Sequence, residues 1–357
     1  MTCLAALTKY LVILLVAQRT IASLPWLKKK HTIALHVINL EKDTERWNAV
    51  SVELGSKGVP RNKIKRIPGV YGNTLSYEEA RANSTTVARH FCTKGTIGCY
   101  LSHRNFWKDT LNSPFGFQIV LEDDVVVAVD FMDRIQEVLE ELEECEETRN
   151  GNWDVVLLGA LGCVHPEGKH GINRIAGFMA GGGRKRRLVT PHCHVPRRPM
   201  GMHAYLLSKK GAEKLVRQAW YASGHVDVIA WGISNVDILC VHPMLANQSM
   251  ASPSTIGAVT TGLETSIPKL QIDEYTGITL EWSFNAPVLR FGDFILTMGR
   301  SIVGIGGGFL LAILCREQFP WMLPLQTAIF SVLFILTKLT TIPVGLSASS
   351  TVDLEAL

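Results

Sequence analysis

The chain has 357 residues, of which 47% are hydrophobic, so it is long enough for one large domain or two of medium size. Its 36 basic residues nearly balance 32 acidic ones, a net charge of +4, and no nucleic-acid-binding motif occurs, which excludes nucleic acid as a partner. Eight cysteines occur without a Cys-x-x-Cys pair, which excludes zinc-finger spacing; Cys92 and Cys99 are a possible bridge in an oxidising compartment.

Residues 1–22 read as a signal peptide or signal anchor, because the apolar run Tyr10 to Ala17 is followed by Thr20-Ile21-Ala22. Ile33 to Leu40 is an apolar, β-branched run that predicts a buried strand. From Asp43 a helix carries Trp47, Val50 and Leu54 on one face. Thr96 to Leu111 predicts a second helix, ended by Pro114 and Gly116. Phe117 to Leu121 predicts a strand, Phe131 to Glu147 a helix with an acidic outer face, and Asp154 to Leu158 a third strand. Gly168 to Pro199 has no periodicity and is rich in Gly, Arg and Lys, the signature of a functional or disordered loop. His192-Cys193-His194 lies in it, a ligand-like triplet with no second cluster nearby in sequence. His203 to Leu207, a helix from Lys209 to Trp220, and Val236 to Val241 complete an alternating strand–helix rhythm. It predicts an α/β domain over residues 32–255, with a mostly parallel sheet and helices on both faces.

Residues 256–293 read as a linker and 294–346 as two transmembrane helices, split near Arg316-Glu317-Gln318. Arg300 and Lys338 are off-centre and can snorkel. The glycines from Gly304 to Gly308 suit close helix–helix contact rather than a phosphate loop, since no strand precedes them. The tail 347–357 lacks Lys and Arg, which fits a non-cytosolic side, as do the sequons at Asn83 and Asn247.

The sharpest chemical feature is Ile119-Val120-Leu121-Glu122-Asp123-Asp124, a buried strand that ends in three carboxylates. Ligands of open α/β sheets bind beyond the carboxyl ends of the strands. Three adjacent acids are costly to bury without a cation. Glu122 and Asp124 on one side of an extended chain suit Mg²⁺ or Mn²⁺, which would bridge diphosphate oxygens. The other reading is a strand end running into a solvated turn.

In order along the chain, Val37-Ile38-Asn39-Leu40 with Arg46, Pro68-Gly69-Val70-Tyr71-Gly72, Gly95-Thr96-Ile97-Gly98-Cys99-Tyr100-Leu101-Ser102-His103, Leu121-Glu122-Asp123-Asp124-Val125, Trp153 to Leu158, Gly201 to Ser208, Val226-Asp227 and Pro243 to Gln248 resemble glycosyltransferase family 25. That family includes bacterial lipooligosaccharide and procollagen galactosyltransferases. The resemblance covers roughly Ile33 to Gln248 and implies a GT-A fold, one Rossmann-like domain with an acidic metal motif. It implies transfer of galactose or glucose from a UDP-sugar, with Mn²⁺ or Mg²⁺ and with inversion, to a glycan, lipid-linked glycan or protein acceptor. Carried over, it assigns metal contact to Asp124 with Glu122, and Glu122 or Asp123 to metal or ribose. Asn39 and Arg46 are placed near uridine and phosphates, and Ser102 and His103 near the donor. An inverting transfer needs a general base opposite the leaving group. Asp227 is the candidate and Asp237 the rival, with His242 a further possible metal ligand. The loop Arg184 to Arg198 and the C-terminal apolar pair have no family counterpart. A catalytically silent relative, binding glycans or proteins at a membrane, is the alternative. The expected location is a membrane, with the catalytic domain in the lumen of the ER or Golgi in a eukaryote; the oligomeric state is left open.

Overall fold

The computed structural model describes residue 33, residues 35–161, 165–166, 185, 187–249 and 284–345, and the backbone of 271–273 and 278–279. The N-terminal segment 1–22, most of the 168–186 loop and the tail 347–357 lie outside the described residues.

The elements follow in order. They are β1 (Leu35–Leu40), α1 (Thr44–Ser56), β2 (Ile64–Gly69), α2 (Tyr77–Asn83), α3 (Thr86–Phe91), α4 (Lys94–Leu111), β3 (Phe117–Glu122), β4 (Val125–Val127), α5 (Phe131–Glu144), β5 (Val155–Leu161), β6 (Arg187–Leu188), β7 (Cys193–Val195), β8 (Met200–Ser208), α6 (Lys209–Gln218), α7 (Val226–Gly232), β9 (Ile238–Val241) and β10 (Ala246–Gln248). The main sheet has the order β2-β1-β3-β8-β5-β9-β7-β6, and β4 pairs with β10 beside it. β1 is parallel to β2 and β3, and β5 is parallel to β9.

β8 differs from a simple strand–helix alternation: it runs antiparallel between β3 and β5. The chain reaches it after the long excursion through β6 and β7, so no crossover helix forces it parallel. β7 is likewise antiparallel to β9. The sheet is therefore mixed, with most strands running one way, and fits the Rossmann-like domain that the resemblance implies.

Alternation along the strands divides the core in two, as a pleated sheet requires. Ile38, Val120, Leu157, Tyr205 and Leu207 pack on one face against α4, α6 and α7. Leu35, Val37, Ile119, Leu121, Val156 and Leu206 pack on the other against α1 and α5. Edge strand β2 contains Pro68, whose missing N–H is tolerated there.

The C-terminal region does not start as a helix at Phe294. Pro287–Phe291 and Phe294–Thr297 form an antiparallel hairpin that turns at Gly292, where φ is +60°. Helix follows over Met298–Leu314, with a wider-wound stretch at Ile302–Gly306, and then over Met322–Leu339. Among the described helices only Met322–Leu339 is long and apolar enough to cross a membrane, and none of it is buried. Gln326 Nε2 donates to Ile305 O at 3.1 Å, and a Cβ on Gly308 would lie 2.6 Å from that amide nitrogen, so Gly308 permits the helix contact. Nothing lies within 4 Å of a Cβ at Gly304, Gly306 or Gly307. Both ends of this region stand on the α/β domain. His225 Nε2 lies 2.8 Å from Pro287 O, Tyr221 N donates to Val344 O at 3.0 Å, and Gly224 packs on the carbonyl of Thr340.

Candidate active site

The carboxyl end of β3 carries the acidic residues, but the strand stops at Glu122 and turns at once, so the three acids go separate ways. Asp123 faces α1. It accepts from Asn39 Nδ2 at 2.6 Å and from Arg46 Nε at 2.8 Å, with Arg46 Nη2 also in contact. Asn39 Oδ1 in turn accepts from Arg66 Nε at 2.8 Å, so Asn39 is fully engaged as a link between β1, β2 and the acidic turn.

Asp124 faces β10. Its Oδ2 accepts from Gln248 Nε2 at 3.0 Å and lies 3.2 Å from Arg46 Nη2, while its main-chain oxygen accepts from Ser249 N at 2.6 Å. Its Oδ1 is buried with no hydrogen-bond partner among the described residues. Burial, and then the charge of Glu122, push the Asp124 pKa up to about 7. A buried carboxylate with an orphaned oxygen beside a second carboxylate is what a hard divalent cation would satisfy. Glu122, Asp124 and the Gln248 side chain offer the oxygen donors such an ion takes, so the residues fit it.

Glu122 is held from behind. Trp107 Nε1 donates to Tyr205 OH at 3.0 Å, Tyr205 OH lies 3.0 Å from His103 Nδ1, and His103 Nε2 lies 3.0 Å from Glu122 Oε1. An indole N–H can only donate, so the phenol passes its own proton to Nδ1 and His103 donates from Nε2. Burial acts to raise the pKa of Glu122. The His103 hydrogen bond, with His203 and Arg46 nearby, more than offsets this and holds it below the ordinary value. His103 therefore orients Glu122 instead of reaching outward.

One turn before His103 on the same helix face, Cys99 completes a group whose ligand atoms with His103 and Glu122 lie within 4.8 Å of one another. Burial, followed by the charges of Glu122, Asp227 and Asp124, raises the Cys99 pKa well above its usual value. Asp227 lies at the same end of the sheet as the acidic turn, hydrogen-bonded to Gly201 at the start of β8, which runs antiparallel beside β3. Asp227 sits in the first turn of α7, where Oδ2 accepts from Gly201 N at 2.7 Å and Oδ1 from Val228 N at 2.9 Å.

Three expected site residues lie elsewhere in their roles. Ser102 is buried, donating to Gly98 O and accepting from Val70 N, both at 2.8 Å, so its hydroxyl pins α4 to the 70–72 segment. Asp237 precedes β9, at the sheet end opposite the acidic turn, where it joins Asp154 in an ion pair with Lys214. His242 follows β9, three strand positions from β3, a lateral separation of about 14 Å at the usual strand spacing. Its ring packs on His165 and His194, not on Asp124. Burial, then His165 and His192, lower its pKa. Cys92 and Cys99 are both free thiols.

Residues not anticipated are Cys99, Trp107, Tyr205, Gln248 and Arg66. The Cys99–His103 spacing of one helical turn was a readable signal; the others join the site only through tertiary pairing.

The family model described as "Glycosyltransferase family 25 (LPS biosynthesis protein)" matches residues 32–230, more than half of the chain. The chain belongs to glycosyltransferase family 25. Among family 25 relatives, a Bos taurus protein named "Probable inactive glycosyltransferase 25 family member 3" is 30% identical over 124 residues, 35% of this chain and 18% of the relative. "Procollagen galactosyltransferase 1-A" of Xenopus laevis is 30% identical over 103 residues, 27% of this chain and 16% of the relative. "Procollagen galactosyltransferase 1" of Danio rerio is 28% identical over 134 residues, 35% of this chain and 18% of the relative. The matches thus span less than a fifth of these relatives' length. The family 25 match includes Asp227 and the whole acidic turn, whereas Asp237, His242 and Gln248 lie beyond it.

Proposed function

We propose that this family 25 chain is an active, inverting hexosyltransferase that moves galactose, or glucose, from a UDP-sugar to a hydroxyl of a glycan, lipid-linked glycan or protein. The observation that carries the reading is the orphaned, buried Oδ1 of Asp124 beside Glu122, with Asp227 at the same end of the sheet. When bound by Glu122 and Asp124, Mn²⁺ or Mg²⁺ would supply charge to the diphosphate leaving group. Arg46, already between Asp123 and Asp124, adds a fixed positive charge on the same side. His103 keeps Glu122 ionised and aimed. Asp227 takes the proton from the acceptor hydroxyl, and its two backbone donors hold the carboxylate in place while it does so. The exposed apolar helix Met322–Leu339, preceded by the shorter apolar helix Met298–Leu314, supports a C-terminal membrane anchor, and the reading carries with it an α/β domain on the lumenal side of an ER or Golgi membrane.

A second reading is a catalytically silent binding protein. Arg46 favours it, because its guanidinium already neutralises part of the acidic turn, and similar proteins include ones named as inactive. One experiment separates the two: UDP release from a panel of UDP-sugars by the full chain, with Mn²⁺ or with chelator, beside Asp124→Asn. Metal-dependent turnover of one donor, lost in the variant, supports the enzyme and names the sugar. A folded chain that neither binds UDP nor turns over any donor overturns it.

A further inference from the structure

The C-terminal helices stand on a foot of basic residues in the α/β domain. Segment 217–224 is pressed against the end of the helix Met322–Leu339. Tyr221 N donates to Val344 O at 3.0 Å, and a Cβ on Gly345 would lie 2.1 Å from Arg217 O. On its other side Ala222 N donates to Asn83 O at 2.9 Å, and Ala222 O accepts from Thr85 N at 3.0 Å. Next in the chain, α3 packs on the same helix and on the strand Pro287–Phe291, with the Phe91 and Phe291 rings 5.7 Å apart, edge to face. Arg300, in the first turn after Thr297, and Lys338, in the last turn before Thr340, also lie at this foot. Charged side chains near the ends of a membrane helix reach out to the headgroups, so these two mark the level of the bilayer surface.

Four cations of the α/β domain and its hairpin gather there without acids. Arg89 donates to Ser84 O and, at 3.0 Å, to Thr86 Oγ1. Arg290 donates to Cys92 O at 3.0 Å and to Arg89 O at 3.1 Å. Arg104 is buried and donates to Trp220 O and, at 3.1 Å, to Asn83 Oδ1. Lys108 Nζ stands 4.3 Å from the centre of the Trp220 ring, and the Arg104 guanidinium 4.9 Å from it. Carbonyls, an amide, a hydroxyl and an indole ring hold these cations, and among the described residues none of the four forms an ion pair. Burial, and then the charge of Arg104, lower the pKa of Lys108. An anion set beside it would oppose both effects. Trp220 itself is half-buried, and an indole with one apolar and one wet side favours the membrane–water boundary.

We propose that Arg89, Lys108 and Arg290, with Trp220, form a docking surface for the phosphate headgroups of anionic phospholipid. Arg104 is the fixed charge beside the Trp220 ring. Uncompensated cations next to an exposed apolar helix complement such headgroups, and their attraction fades within a Debye length of the surface. The surface is continuous with the helices, because Trp220 is one residue from the Tyr221–Val344 bond and Arg290 lies in the hairpin that leads into Met298. The proposal rests on the reading of Met322–Leu339 as a membrane anchor. It adds that the domain itself, and not only the anchor, binds the bilayer and selects its lipid.

The test uses the full chain reconstituted in phosphatidylcholine bilayers that carry a trace of spin-labelled lipid, either phosphatidylglycerol or phosphatidylcholine. Spin resonance separates lipid held at the protein from bulk lipid and so gives the ratio of the two affinities. Wild type is expected to hold phosphatidylglycerol more tightly, and to lose the preference as salt is raised. Lys108→Gln and Arg89→Gln should each lower the ratio, by up to about five-fold. Arg187→Gln, which breaks the pair with Glu147 at the β6 edge of the sheet, should leave it unchanged. A reconstituted wild-type chain with no preference for phosphatidylglycerol overturns the proposal. So does a preference that survives both Lys108→Gln and Arg89→Gln. A folded chain that does not enter the bilayer at all overturns the anchor reading, and the proposal with it, before any lipid is compared.

Discussion

His103 Nε2 lies 3.0 Å from Glu122 Oε1, inside a line of donors that begins at the buried indole of Trp107. His103 is thus a scaffold for the acid, while its neighbour Ser102 fastens the helix to Val70. His103→Ala should leave Glu122 buried without its donor. We expect kcat to fall about 10- to 100-fold and the Mn²⁺ concentration for half-activation to rise, with His103→Gln recovering part of both. Tyr205→Phe should give a smaller change in the same direction. Steady-state assays across Mn²⁺ concentration check this.

Asp124→Asn separates function from stability. Activity should be lost. Without divalent metal, however, the variant should be more stable than wild type by about 1 to 2 kcal/mol, because a neutral amide relieves the repulsion from Glu122. Thermal melts with chelator and with Mn²⁺ read the result. Wild type should gain on Mn²⁺ addition where the variant does not.

Asp227 and Asp237 were rivals in sequence, and the fold places them at opposite ends of the sheet. Asp227→Asn should lower kcat by about 10²- to 10⁴-fold with little change in UDP binding. Asp237→Asn, on the exposed side of the Lys214 ion pair, should leave kcat unchanged. Equal losses in both would remove Asp227 from the role of base.

Gly98→Ala tests why the Gly95 to His103 block has its small residue. A Cβ there would lie 2.5 Å from Val70 O and 2.6 Å from Gly72 N, both backbone atoms that cannot step aside cheaply. The expected cost is about 2 kcal/mol, seen as a fall of about 5 °C in melting temperature.

His36 supplies a pH signature. Burial, first among its influences, lowers its pKa from 6.5 to about 4. The unfolded chain therefore takes up a proton before the folded one does. Stability is complete above pH 6.5 and is lost as pH falls toward 4. His36→Leu should flatten this by about 3 kcal/mol between pH 7 and pH 4 relative to wild type, measured by urea unfolding.

The parts of the fold legible in sequence were those written in burial. The apolar runs at Leu35–Leu40, Phe117–Glu122 and Val155–Leu161 are strands because each is buried on both faces. Strand direction is not written there. The antiparallel course of β8 depends on how the long excursion before it returns, and nothing in Met200–Ser208 records that. β2 was missed because Lys65 and Arg66 interrupt its apolar pattern, as an exposed edge allows. In the site, the acidic turn was legible from its charge. Gln248 was not, because only the pairing of β10 with β4 brings an uncharged side chain to Asp124. Ser102 misled because a polar residue beside a histidine looks the same in sequence whether its hydroxyl faces a ligand or fastens a helix.

The helical region from Met298 to Leu339 enters and leaves the α/β domain on one short stretch, with Pro287 bound by His225 and Thr340 and Val344 seated against Gly224 and Tyr221. That stretch leads within three residues to Asp227. A bilayer around the two helices would therefore hold the pocket at one height and one tilt. On the proposed reading of a membrane-anchored transferase, acceptor hydroxyls would be selected by their distance from the lipid surface before any side chain touched them.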